Sequence, residues 1–444
     1  LENPSEQPQS GARAEVIVPT LYFAEGLPYT MVNLMSIILL KNLGLDNKFI
    51  GLYTSLLALP WTVKFLWAPL VDLYGSRRGW IVVAQLVLTG LTLLLLPALL
   101  SAHAVEFSLL IFSLIAIASA THDIAIDGFY LDLLSRTKQA LFVGVRNASY
   151  KMAWLFGSGA MVYLAGWWAK HQQNKDLVPN PEYINQGWAI AFAVCAAILC
   201  ALATWHQVAL PYPKKQVSTS GESLFSSFPQ VLKTFLDQRR ITVIILYVVI
   251  FRFGDALMLK MAQPFLLDLK TKGGLAISTE QVGIIYGTVG VVAFLVGGLL
   301  GGWLVSKFSL KKCLLPTALI QNGAILLYWF LALAKPDIYL VALVNALEQF
   351  AYGLGTAAYT VFLLGIVKEK YKASHYAIAS ALMAFGLLIP GMVSGYLADA
   401  LGYQNFFLAS FVASLPGIIC ILFLPFGNDR SSSGQDGILV ADSV

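Results

Sequence analysis

Within the long apolar stretches of this chain, a few ionisable residues are spaced so that they could carry a proton or hold an anionic group. Thr121-His122-Asp123-Ile-Ala-Ile-Asp127-Gly128 puts two carboxylates four residues apart, on one face of a helix. Two like charges so placed repel when both are ionised, which favours a proton shared or exchanged between them. The next apolar stretch carries Arg146 and Lys151. Phe23-Ala24-Glu25 is matched much later by Phe253-Gly254-Asp255, with Arg252 three residues before that acid. Lys64 follows Leu59-Pro-Trp-Thr-Val, and Asn345, Glu348, Gln349 and Tyr352 share one further stretch. A charge inside hydrocarbon is costly unless it is paired or wet, so each of these is a functional candidate by position alone. Glu25, Asp123 and Asp127 are the candidate proton carriers. Lys64, His122, Arg146, Lys151, Arg252, Asn345, Glu348, Gln349 and Tyr352 are the candidate solute contacts.

What must position them is a set of membrane helices. The 444 residues are 58% hydrophobic and only 12% charged, about half the charge of a soluble domain. Apolar runs near twenty residues recur, each long enough to cross a core about 30 Å thick. Hydrocarbon leaves no water for backbone groups, so such runs must be helical. The chain reads as an all-α integral membrane protein with twelve helices, at 16–40, 49–70, 79–100, 105–132, 141–167, 188–210, 241–267, 279–305, 313–334, 337–366, 374–399 and 404–425. These make two six-helix bundles, 16–210 and 241–425, with tails at 1–15 and 426–444. Between the bundles lies a linker, 211–240, whose Pro211, Pro213 and serines suit a loop with a short surface helix. No basic-then-apolar leader with a small-residue cleavage site is seen, so the first apolar segment serves as the membrane address.

Lysine and arginine collect in one set of loops, including Arg77, Arg78, Arg136, Lys138, Lys214, Lys215, Arg239, Arg240, Lys311 and Lys312. The other set holds few, among them Lys41, Lys48, Lys170, Lys270 and Lys335. By the positive-inside rule the rich side, with both termini, is cytoplasmic. The net charge of +5 therefore follows topology, and no nucleic-acid partner is needed to explain it. Cys195, Cys200, Cys313 and Cys420 lie in or beside apolar segments without ligand spacing, so neither a metal site nor a disulfide framework is indicated. The chain shows no His-Glu-x-x-His, no Gly-x-Ser-x-Gly and no Gly-rich phosphate loop. An enzyme is not indicated, and no cofactor is expected. A monomer in the bilayer, with protons and a small solute as partners, is the expectation.

Counted inward from the loop joining 105–132 to 141–167, Asp127 and Arg146 lie at similar depth, and Asp123 matches Lys151 one turn further in. That predicts a ladder of two ion pairs. It either pins the two helices together or opens at one rung to take a proton or an anionic group. Arg252 stands ready to neutralise Asp255. Glu25 has no partner within its own helix, and Gly26 and Pro28 allow the helix to open beside it, which makes it the leading proton site.

Two loops repeat at a constant offset. Ala68-Pro-Leu-Val-Asp72-Leu-Tyr-Gly75-Ser-Arg77-Arg78 aligns with Gly302-Trp-Leu-Val-Ser306-Lys-Phe-Ser309-Leu-Lys311-Lys312. The first copy resembles the loop signature of the major facilitator superfamily, with Ala68 and Leu73 departing from it. The resemblance implies that Asp72, Arg77, Arg78, Lys311 and Lys312 help hold a cytoplasmic gate shut, and that two halves rock about a site near the midplane. Over residues 20–160 the likeness narrows. Phe23-Ala-Glu-Gly26-Leu-Pro28-Tyr, Leu59-Pro-Trp-Thr-Val-Lys64-Phe-Leu-Trp-Ala-Pro69 and His122-Asp123-Ile-Ala-Ile-Asp127-Gly resemble the AmpG muropeptide permease family. That resemblance implies proton-coupled import of anhydro-muropeptides (a disaccharide bearing a short peptide) across a bacterial inner membrane, with Tyr29, Tyr150 and Tyr352 available to stack on sugar. Siderophore importers and acetyl-coenzyme A carriers share the Asp-Ile-x-x-Asp pattern, so another anionic organic solute is the second reading. A non-transporting sensor would explain the helices but not a repeat with buried charge.

Overall fold

The computed structural model of the chain describes residues 11–134, 136–172, 180–211, 224–367 and 372–426. These are helical apart from short connections. Ten stretches among them are long and apolar enough to cross a membrane. They are α1 (Ala14–Asn42), α2 (Asn47–Leu66), α3 (Arg77–Leu99), α4 (Ala104–Leu133), α6 (Pro181–Ala209), α7 (Ile241–Leu267), α8 (Thr279–Phe308), α9 (Leu310–Ala334), α10 (Ile338–Gly365) and Ile378–Ile421. The last is broken at Gly402, whose φ of 71° suits a residue without a Cβ, and so becomes α11 (372–401) and α12 (403–421). Helix α5 occupies 136–172 and is the least apolar, since it carries Arg146 and Lys151. The twelve helices expected are therefore present. Residues 1–10 and 427–444 of the tails and 212–223 of the linker lie outside the described residues, and the expected N-terminal tail is shorter than 1–15 because the first helix already begins at Gly11.

Four of the helices are interrupted where chemistry is expected. Helix α1 passes through a π-helical turn at Met31–Met35, three residues after Pro28, which has no N–H to give. Helix α5 has a second π turn at Leu155–Met161, and the two turns pack on each other. Glycines allow the approach: a Cβ on Gly26 would sit 2.9 Å from the Tyr150 carbonyl oxygen, and one on Gly157 would sit 2.6 Å from Thr30. Helix α2 is interrupted at Ala58, continues as a short α-helix over Leu59–Val63, runs through a 3-10 turn at Lys64–Leu66, and resumes at Ala68–Leu73. Helix α7 breaks between Ile250 and Phe253, which places Arg252 at the start of its second part.

The chain divides into two compact units, one of Leu1–Leu43 with Val63–Gln216 and one of Gly44–Thr62 with Val217–Val444. The first is built on Ile17, Leu21, Tyr22, Ile126 and Phe129, the second on Tyr247, Phe251, Tyr359 and Phe362. The first part of α2 thus groups with the second unit, where the repeat alone would place it with the first. The cause is local packing: Gly391 and Gly395 of α11 let Ser55 and the Asn47 carbonyl come close. The described end of the linker is the helix Leu224–Leu236. It is not a detached surface helix, because Val231 and Phe235 are buried and the Phe235 ring meets His375 edge-on at 5.4 Å.

Candidate functional site

The first unit gathers five charged side chains from four helices. Helix α1 supplies Glu25, the 3-10 turn of α2 supplies Lys64, α4 supplies Asp123 and Asp127, and α5 supplies Arg146. Arg146 Nη2 lies 2.9 Å from Asp127 Oδ1, which is the pair that depth counting predicts. The hydroxyl of Tyr22 donates to the same oxygen at 3.0 Å, and the guanidinium lies 4.6 Å from the centre of the Tyr22 ring. Asp127 is therefore held by a cation and a phenol together, while its side chain stays 36% exposed. That exposure sits among Tyr22, Arg146 and Tyr130, which places the carboxylate toward neighbouring helices.

The other rung of the ladder is not formed as predicted. Asp123 is paired with Lys64 and not with Lys151. The reason is rotation. Asp123 and Asp127 are four residues apart and differ by about 40° around their helix, whereas Arg146 and Lys151 are five apart and differ by about 140°. Two cations so spaced cannot both face one stripe of α4. Lys151 instead lies over the Trp154 ring, 3.4 Å from its centre. Lys64 takes the vacated role because the α2 helix tightens at that point.

Glu25 is buried, at 6% exposure, and its carboxyl neighbours that of Asp123. Its Oε2 has no hydrogen-bond partner. Three carboxyls therefore face two cations, and each cation already has its own acid. A single proton on the cluster makes it neutral. Beside it, the rings of Tyr29 and Trp154 stack in parallel at 5.8 Å and Tyr150 packs against both, forming an aromatic platform. Trp154 and Tyr22 carry much of this site and were not among the sequence candidates. Their helical spacing to Glu25 and Tyr150 is the only signal, and any apolar helix offers such spacings.

Other candidates are placed differently from expectation. His122 has no exposed surface and contacts Gln85 of α3 at 3.1 Å. Gln85 in turn meets His206 of α6 at 3.0 Å, and His206 meets Thr20 at 3.0 Å. His122 thus ties α4 to α3 through Gln85, and through it to α6. In the second unit Arg252 Nη1 lies 3.4 Å from Asp255 and 3.2 Å from the Thr356 hydroxyl, beneath the Tyr359 ring. Gln321 also donates to Asp255. Only 3% exposed, Arg252 pins the break in α7 to α10, while Asp255 ties it to α9 through Gln321. Asn345 is likewise used internally, donating to the Ile285 carbonyl at 2.8 Å and accepting from Tyr328 at 2.9 Å. Gln349 donates to Glu348 at 2.8 Å, and both are buried. Tyr352 packs on Phe294 at 5.5 Å and is half-buried.

Among the gate candidates, Arg77 Nη1 donates to Asp132 at 2.5 Å and to the Gly128 carbonyl at 3.0 Å. Gly128 leaves the room for it: a Cβ there would lie 2.6 Å from Arg77 Nε. Arg78 donates to the carbonyls of Leu210, at 3.0 Å, and Gln207. The two arginines therefore clasp the start of α3 to the ends of α4 and α6. Lys311 and Lys312 are exposed at the start of α9, and the Asp72 side chain lies outside the described residues.

Comparison with known proteins agrees with this architecture. The chain matches the Major Facilitator Superfamily model over residues 20–269 and 248–439. It is 28% identical over 426 residues to the anhydromuropeptide permease of Escherichia coli (strain K12), covering 94% of this chain and 80% of that one. It is 25% identical over 421 residues to a putative transporter, AmpG 4, of Rickettsia conorii, covering 91% and 94%. Among solved structures, a D-xylose-proton symporter superposes with a TM-score of 0.69 at 13% identity, covering 93% of this chain and 96% of the other. A bacterial homologue of the human lysosomal transporter Spinster, in an inward-facing and occupied conformation, gives 0.66 at 18% identity, covering 92% and 95%.

Proposed function

Because this chain belongs to the major facilitator superfamily and is a multi-pass membrane transporter, not an enzyme, we propose that it imports anhydro-muropeptides into the bacterial cytoplasm, coupled to protons, by alternating access. The observation that carries the coupling is the charge count in the first unit. Among the described residues the acids Glu25, Asp123 and Asp127 are matched by two paired cations, Lys64 and Arg146, so one acid is left without a cation. Loading one proton there neutralises the cluster, and losing it restores a net negative charge within the membrane, which is costly. A proton-driven carrier needs that alternation. The platform of Tyr29, Tyr150 and Trp154 gives flat apolar faces for a sugar ring, and Lys151 beside it offers a cation. The Escherichia coli relative named as an anhydromuropeptide permease supports the solute class. Both termini lie on the cytoplasmic side in this reading, since the basic loops do, and the carrier works as a monomer.

The test is uptake of a labelled anhydro-muropeptide by proteoliposomes, with and without an imposed inward proton gradient. Uptake that the gradient accelerates supports the proposal. A solute taken up at one rate under both conditions removes the coupling, and no uptake of muropeptide removes the solute. The gate carries its own expectation. Arg77→Ala with Arg78→Ala releases the clasp on α4 and α6, and uptake is expected to fall while the protein still inserts, measured by detergent size exclusion beside transport. Normal uptake by this double variant would reduce both arginines to topology signals.

A further inference from the structure

Lys260 sits within α7 and has a partner unlike those of the other cations of the spans. Lys64, Arg146 and Arg252 each meet a carboxylate. Lys260 Nζ instead donates to the Thr54 hydroxyl at 3.2 Å, and no carboxylate pairs with it among the described residues. Thr54 already donates its own proton to the Ile50 carbonyl at 2.7 Å, so it accepts from the ammonium without balancing its charge. One turn further along α7, Gln263 is 1% exposed and neither of its amide atoms has a partner. Residues three apart on a helix are neighbours, so the orphaned amide lies beside the lysine. Ser55 is the third member: its buried hydroxyl also has no partner. A Cβ on Gly391 would lie 2.6 Å from that hydroxyl and 3.4 Å from the Lys260 side chain, so the two flank the same bare backbone.

An ammonium whose charge is unbalanced, beside an amide and a hydroxyl without partners, costs several kcal/mol within a membrane protein unless something fills the site. Their donors suit one acceptor. A single ammonium balances a single negative charge, and a carboxylate's two oxygens have room for the ammonium on one side and neutral donors on the other. A phosphate dianion would leave charge unmet. We propose that Lys260, Gln263 and Ser55 bind a free carboxylate of the transported solute. On the reading above, on which this rests, that group belongs to the peptide arm of the muropeptide.

The experiment compares uptake of an anhydro-muropeptide bearing free peptide carboxylates with uptake of the same compound fully amidated. Wild-type protein in proteoliposomes is expected to half-saturate with the free acid at a concentration about tenfold lower or more, the size of one charge-assisted hydrogen bond. In Lys260→Met the ratio is expected to fall to near one, while Lys260→Arg keeps a preference for the acid. Lys260→Gln is measured in parallel, so that the ratio is obtained even if the methionine variant fails to insert. A neutral variant that discriminates as well as the wild type overturns the site. Equal uptake of both compounds by the wild type also overturns it, leaving the muropeptide reading intact. Wild-type protein that takes up neither compound removes that reading and this inference together.

Discussion

Replacing Glu25 with glutamine is expected to abolish the acceleration of uptake by an imposed proton gradient while exchange of solute across the membrane continues. Glutamine keeps the shape of the side chain and its capacity to hydrogen-bond, but it cannot gain or lose a proton. With it in place, Asp123 and Asp127 are balanced by Lys64 and Arg146, so the cluster is neutral at all times. Reorientation then proceeds without a proton, and the ratio of rates with and without the gradient is expected to fall to about one, because no net charge has to be neutralised before the site turns. Asp127→Asn behaves differently. It leaves Arg146 with only the phenol of Tyr22 and the faces of two aromatic rings, so exchange and driven uptake are both expected to drop. Counterflow and gradient-driven uptake, run on both variants, separate the two roles. Full proton-driven uptake by Glu25→Gln would move the coupling site to Asp123 and Asp127.

Breaking the pair between Lys64 and Asp123 is expected to cost more than removing it. Lys64→Met leaves Asp123 beside Glu25 with no cation of its own, and Asp123→Asn leaves an ammonium at a helix break without its paired acid. Lone buried charges of this kind cost about 3–5 kcal/mol. Lys64 is 31% exposed, so water recovers part of that, and about 2 kcal/mol per single variant is the expected loss. The double variant Lys64→Met with Asp123→Asn removes both charges, and its thermal unfolding midpoint in detergent should return most of the way to the wild type. Transport should not return with it, because the lysine no longer joins the break in α2 to the acid cluster. Additive losses in the double variant would show that the two residues do not act as a pair. Recovered transport would make the pair a structural one.

Much of this protein is legible in its residues alone. A shortage of charge and a recurrence of apolar runs leave helices in a bilayer as the one way to satisfy every backbone group. Local pairs were readable too. Arg252 and Asp255 are three residues apart, so one helix brings them together without outside help. Arg146 and Asp127 could be matched because a short loop joins their helices and depth is then a matter of counting.

What the tertiary structure alone decided was which way each helix turned and where it broke. Depth counting paired Asp123 with Lys151 because it followed position along the axis and ignored rotation about it. The partner is Lys64, from a turn whose departure from α-helical geometry no periodicity announces. His122 looked like a neighbour of the acids, yet one residue of helix is about 100° of turn, and that carried it to Gln85 and away from Asp123. Glu25 had no partner in its own helix and met Asp123 only when α1 and α4 packed. Residue type and spacing state which charges must be buried. Only the packed helices, each with a definite rotation, state which of those charges meet.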